Sequence, residues 1–181
     1  LINVGVTATD VVMLGRVGEK VLSGASLAGQ IQYIMTLFLF GLTSGATVLT
    51  AQYWGKGDRR TIEKILALGI KASLMVTAVF MIAALTVPGL LMKIFTNDPQ
   101  VIAEGVKYLR IVAWSYILIG ITQVYLYTMR SVERVMIATV VYLCSLICNI
   151  ILNSVFIFGL LGFPAMGIQG AALATLISRC L

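Results

Sequence analysis

The chain contains no histidine, and only seven of its 181 residues are acidic. Without imidazole it lacks the most frequent general base at neutral pH and the commonest metal ligand. No GxxxxGK[ST] loop is present to cradle a nucleotide phosphate, so nucleotide-driven work would need another domain. A Ser-Lys dyad finds no lysine at the depth of the buried serines, and enzyme chemistry is poorly supported. The three cysteines, Cys144, Cys148 and Cys180, stand in apolar segments with no metal-ligand spacing. Cys144 and Cys148, four apart on a helix, are badly placed for a disulfide and read as small buried residues. The start, Leu1 to Leu14, lacks the charged opening of a secretory signal and reads as a helix without its beginning. The far end, Leu173 to Leu181, stops inside another apolar run, so the chain is expected to be a piece of something longer.

Charge is scarce as a whole. Charged residues make up 11% of the chain and hydrophobic ones 60%, with a mean hydropathy of +1.02. Soluble domains run near ~25% charged. The apolar residues fall in blocks of the ~18 or more that a membrane-spanning helix needs, and only closed hydrogen-bond ladders survive in hydrocarbon. The net charge of +6 sits in short loops rather than a dense basic stripe, which argues for membrane orientation and against nucleic acid.

Spans are expected at Leu1–Leu14, Ala25–Tyr53, Ile65–Val87, Tyr108–Met129, Val135–Phe158 and from Gly167 onward, in antiparallel order. The loops GRVGEKVLSG, WGKGDRR and RSVER and the polar interruption LLMKIFTNDPQ separate them. Counting Lys56, Arg59, Arg60, Lys64, Lys71, Arg130, Arg134 and Arg179 on one side, against Arg16, Lys20, Lys93, Lys107 and Arg110, marks the first side as cytoplasmic. The fold class is therefore an all-α integral membrane protein, an antiparallel bundle of about six transmembrane helices with the first and last truncated. Small residues at packing spacing, Gly41-xxx-Gly45 and then Gly167, Gly170, Ala171, Ala174 and Ser178, allow close helix approach. Gly69 and Gly120 stand singly and carry little signal.

Polar groups inside apolar helices are the informative exceptions. Asp10 is the one acid in the middle of an apolar segment, where a carboxylate costs ~2.5–3.5 kcal/mol and usually faces a cavity. Asn3, Thr7 and Asp10 fall on one helical face. In LICNIILNSVFIFG, Asn149 and Asn153 lie four apart and share a face. At ~1.5 Å of rise per residue, Asp10, Asn153, Asn149 and Thr175 lie roughly 8 to 15 Å below the outer ends of their helices. A carboxylate, two amides and a hydroxyl in one layer form a hard oxygen set suited to a proton or a sodium ion. Gln30 and Gln123, with Asn3 and Thr7, are secondary candidates for lining a passage. Trp114, Tyr116, Tyr125 and Tyr127 could face organic cations, though interfacial anchoring or packing is the commoner use.

Several stretches in order resemble the multidrug and toxic compound extrusion (MATE) family: TDVVMLGRVGEKVLSGASLAG, FGLTSGATVLTAQYWGKGDRR, YLRIVAWSY, NIILNSVFIFG and GIQGAALATLISR. The resemblance implies a twelve-helix protein of two six-helix bundles, residues 1–181 being the N-terminal bundle and a C-terminal bundle its partner. It implies export of small cationic, amphipathic compounds across a bacterial cytoplasmic membrane in exchange for sodium or protons, with no cofactor. By the same resemblance Asp10, Asn149 and Thr175 match the family's cation site. Asn153 stands where several members carry a second acid, which leaves sodium and proton coupling both open. A lipid-linked oligosaccharide flippase, expected to carry more buried cations, and a non-transporting membrane scaffold are the alternatives.

Overall fold

The computed structural model describes residues 11–159 and 164–180, with the side chain of residue 135 excepted. Residues 11–15 are helical. Seven further helices follow among the described residues: α1 (Glu19–Gly55), α2 (Arg59–Thr86), α3 (Pro88–Lys93), α4 (Pro99–Val112), α5 (Ser115–Ser131), α6 (Val135–Phe158) and α7 (Ile168–Cys180). No strand occurs among the described residues.

Local chemistry sets the boundaries. Asp58 caps α2 by accepting from the Thr61 amide at 3.1 Å and the Thr61 hydroxyl at 2.6 Å. Gly57 takes the left-handed backbone, φ 73°, that a three-residue turn between long helices requires. Asp98 caps α4 through the Gln100 amide at 2.9 Å, with Pro99 in the first turn. Gly159, φ 71°, ends α6 in a left-handed cap, its amide bonding the Val155 carbonyl.

Residue pairs give the directions. Gly69 meets Val124 and Gly120 meets Thr77, so α2 and α5 run antiparallel. Ser145 donates to the Ser178 carbonyl at 3.0 Å and Gly170 packs on the Phe156 backbone, so α6 and α7 do too. Phe38 of α1 meets Phe80 of α2 at a tilt, ring centroids 5.9 Å apart, across the hairpin they form.

Three helices are long and apolar enough to cross a membrane, and α4 with α5 form a fourth span bent by 56°. The expected Tyr108–Met129 span is thus corrected: it is broken at Ala113–Trp114 and begins earlier, at Pro99. At the bend Ser115 donates its hydroxyl to the Val112 carbonyl at 2.7 Å, a side-chain-to-backbone bond of the kind that often accompanies bent helices. The loop GRVGEKVLSG is shorter than expected, since α1 starts at Glu19 inside it.

The core is small and partly polar. Along α1 the buried residues Gly24, Ala28, Ile31, Met35, Leu39, Thr43 and Thr50 keep helical spacing, while Tyr33, Leu37, Phe38 and Phe40 point outward. Thr43, Thr50, Ser73, Thr77, Ser115, Thr128, Asn149, Asn153, Thr175 and Ser178 are all buried. Large apolar side chains on the outer surface, with serines, threonines and asparagines buried beside the apolar core, suit a bundle surrounded by lipid, where close packing rather than water expulsion holds helices together. Gly24 and Gly120 serve that packing. A Cβ on Gly24 would lie 2.8 Å from the Gly105 nitrogen, and one on Gly120 2.8 Å from Thr77 Cγ2. Gly41 and Gly45, expected to pack, have no neighbour within 4 Å among the described residues, whereas Gly120, a single glycine that carried little signal, is tightly packed. The cysteines are also corrected: Cys144 and Cys180 are exposed and Cys148 is half-buried.

Candidate cation site

Most buried hydroxyls in this bundle are satisfied by their own helix. Thr43 donates to the Leu39 carbonyl at 2.8 Å, Thr50 to Ala46 at 2.8 Å, Thr77 to Ser73 at 2.9 Å and Thr128 to Val124 at 2.9 Å. Such bonds add a second interaction to a carbonyl already in the ladder and leave nothing over.

One layer of α6 and α7 departs from this pattern. Asn149 and Asn153 are 1% and 0% exposed, and Asn153 Nδ2 donates to Asn149 Oδ1 at 3.0 Å. The register from Ser145–Ser178 to Phe156–Gly170 sets Asn149 at the level of Thr175 on α7. Asn149 Nδ2 and Thr175 Oγ1 are buried and have no hydrogen-bond partner among the described residues. A buried polar atom left without a partner costs about 1–3 kcal/mol. Two at one level of a two-helix seam therefore mark a place that takes a further polar group. The Asn149 amide offers both kinds of contact: Oδ1 keeps a second lone pair for a proton donor or cation, and Nδ2 can steady a carboxylate.

Asn3, Thr7 and Asp10 lie outside the described residues. Among the described residues no cluster of three or more His, Cys, Asp or Glu could hold a metal ion. What the described helices contribute is neutral: two amides and one hydroxyl, oxygen ligands that a hard monovalent ion tolerates and that add no charge of their own. The secondary candidates do not join this layer. Gln30 is exposed and Gln123 half-buried on another helix. The four aromatics scatter: Tyr116 is fully buried in the core, Trp114 and Tyr125 are exposed, and Tyr127 is half-buried.

One polar junction had no signature in the sequence. Arg179, counted above as a cytoplasmic charge, turns its guanidinium into the bundle. Its Nη1 donates to Ser115 Oγ at 2.7 Å and its Nη2 to Gln32 Oε1 at 3.1 Å. Ser115 thus accepts from Arg179 while donating to Val112, which ties α7 and α1 to the bend between α4 and α5. The junction joins residues 64 and 147 positions apart, beyond any local pattern. At the far end of α1, Lys20 pairs with Asp98 at 3.7 Å and also donates to Gln100. The Gln100 amide, with Lys20 second, holds the Asp98 carboxyl below its ordinary value. A shallow groove beside it is lined by Ser23, Ser26, Phe95 and Thr96, with no contribution from α6 or α7.

Known proteins share this bundle. The MatE family model matches residues 1–155. Over 181 aligned residues the chain is 31% identical to a probable multidrug resistance protein NorM of Rhizobium meliloti (strain 1021), covering 97% of this chain and 38% of that protein. A protein of the same name from Thermotoga maritima is 28% identical over 94% of this chain and 37% of its own length. Among solved structures, a MATE protein in the bent conformation superposes with a TM-score of 0.88 at 21% identity, over 99% of this chain and 39% of that one. The MATE multidrug transporter DinF-BH superposes with a TM-score of 0.86 at 23% identity, over 97% and 39%. These structures establish the fold, and the chain spans about two-fifths of the length of the relatives it matches. On the match across most of its length, the chain belongs to the MatE family.

Proposed function

We propose that this chain forms the N-terminal, ion-coupling half of a secondary transporter that exports cationic, amphipathic compounds in exchange for sodium or protons. The observation that carries the reading is the Asn149–Thr175 layer, where buried polar atoms lack partners in a bundle whose other buried hydroxyls are satisfied. Asp10 supplies the charge in this reading, and Asn149, Asn153 and Thr175 supply neutral contacts. One monovalent cation or one proton then neutralises the site, so binding and release of a single charge can drive a change of state. NorM relatives named for multidrug resistance and DinF-BH, described as a multidrug transporter, support export of such compounds. The bacterial sources of the NorM relatives support a cytoplasmic membrane. The flippase alternative expects buried cations to receive a diphosphate. Arg179 is half-buried, but its guanidinium already donates to Ser115 and Gln32.

The test is efflux from inverted vesicles under imposed sodium or proton gradients. Asp10→Asn is expected to abolish gradient-driven export while leaving folding and drug binding largely intact. Export at the wild-type rate in that variant would sink the coupling role. Asn153→Asp, which restores a second acid, is expected to change the ion preference or the pH profile, and an unaltered profile counts against Asn153 as part of the site.

A further inference from the structure

At the end of the bundle that loop charge marks as cytoplasmic, two aromatic rings from neighbouring helices flank a basic side chain, and a third ring meets one of them. The guanidinium carbon of Arg130, in the last turn of α5, lies 5.4 Å from the centroid of Tyr127 and 5.8 Å from that of Tyr142 on α6. Phe40 of α1 meets Tyr127 edge-on at 6.4 Å and extends the aromatic wall. Both guanidinium distances are within the ~6 Å at which a ring face attracts a cation. Among the described residues no carboxylate forms an ion pair with Arg130; the ion pairs there are Lys20–Asp98 and Lys107–Glu104. The aromatic faces are therefore the partners the structure gives this guanidinium. Arg130 is itself exposed, while Tyr127 and Tyr142 are half-buried. A tethered cation on a partly buried aromatic surface competes directly with any free cation for the same ring faces.

We propose that Tyr127 and Tyr142, with Phe40 beside them, form a docking cage for planar or quaternary organic cations, and that Arg130 is its built-in competitor. The proposal deepens the export reading, on which it rests, by naming a substrate contact away from the Asn149–Thr175 layer. Its chemistry selects delocalised or quaternary charge on an apolar body. Such ions shed their hydration more easily than an ammonium, and the aromatic faces offer no hydrogen bonds to replace the lost water. An inorganic cation gains little here for the same reason.

The proposal sets two effects in opposite directions. With the protein in lipid nanodiscs and tetraphenylphosphonium as the probe, Arg130→Gln is expected to tighten binding because the competitor is gone. Tyr142→Leu is expected to weaken it roughly two- to five-fold, the worth of one cation–ring contact. Tyr142→Phe keeps the ring face and restores the affinity, which separates loss of the cage from loss of the fold. In Arg130→Gln/Tyr142→Leu the gain shrinks. Unchanged or weaker binding in Arg130→Gln overturns the cage, as does a Tyr142→Phe variant no better than Tyr142→Leu. Gradient-driven efflux of the same probe is measured in parallel. Wild-type binding that shifts as expected without any efflux leaves the cage standing and removes the export reading. Efflux that is indifferent to all these variants does the reverse.

Discussion

Thr175 and Thr43 are the same residue type, equally buried, and chemically opposite. Thr43 donates its hydroxyl to the Leu39 carbonyl, whereas Thr175 Oγ1 has no partner among the described residues. Replacing each by valine tests the difference. Thr175→Val removes an unsatisfied group and is expected to raise stability by about 1 kcal/mol or more, read as a higher unfolding midpoint in detergent. Thr43→Val, which gives up a hydrogen bond worth about 0.5–1.5 kcal/mol, is expected to lower it. Equal destabilisation of both would mean that the Thr175 hydroxyl is already satisfied. Glu133 offers a second test at this scale. It holds φ 65° in the turn between α5 and α6, a left-handed backbone that costs a side-chain-bearing residue roughly 1–2 kcal/mol. Glu133→Gly is expected to be neutral or stabilising by thermal melt, and a clear loss would show that its side chain contributes more than its backbone costs. Asn149 and Asn153 were legible in the sequence because four-residue spacing puts them on one face. Which of their atoms remain to be satisfied depends on packing and was not.

At the scale of elements, the bend between α4 and α5 and the seam between α6 and α7 show how few atoms set helix geometry. Arg179 approaches the bend from α7, and its charged bonds to Ser115 and Gln32 are each worth about 1.5–3 kcal/mol. Arg179→Gln is expected to loosen the bend. Spin labels at the exposed positions Gln100 and Tyr125 would then give a broader or longer distance distribution, and an identical distribution counts against Arg179 as the brace. Gly170→Ala would place a Cβ 2.5 Å from the Phe156 carbonyl oxygen, a backbone atom that cannot swing aside. That substitution is expected to separate α6 from α7 and lower the unfolding midpoint. The same substitution at Gly41, which has no neighbour within 4 Å among the described residues, is expected to be neutral or stabilising. Spacing alone put Gly41 and Gly45 in a packing seam, because a small-residue pattern does not say which face of its helix meets a neighbour.

For the molecule as a whole, acid sensitivity is expected at the first turns of α2 and α4. The Thr61 side chain, then its amide, hold the Asp58 carboxyl below its ordinary value, as the Gln100 amide does for Asp98. A carboxyl lowered in the folded state stabilises the fold above its unfolded value, near ~3.9, and loses that contribution as pH falls through the folded value. Unfolding midpoints are therefore expected to drop below about pH 4. Asp58→Asn with Asp98→Asn should start lower and show a shallower drop, and an unchanged pH dependence would place the acid sensitivity elsewhere. By itself, the sequence determined that the chain is a membrane bundle of helices, roughly where most of them begin and end, and that Asn149 falls near the depth of Thr175. Those facts follow from hydropathy, caps and the rise per residue, which are local. Tertiary structure alone decided which face of each helix is inside. With apolar side chains favoured both by lipid and by the core, no amphipathic pattern separates the two. It also decided the Arg179 junction, the broken span and the ring pair around Arg130, since each joins side chains from different helices.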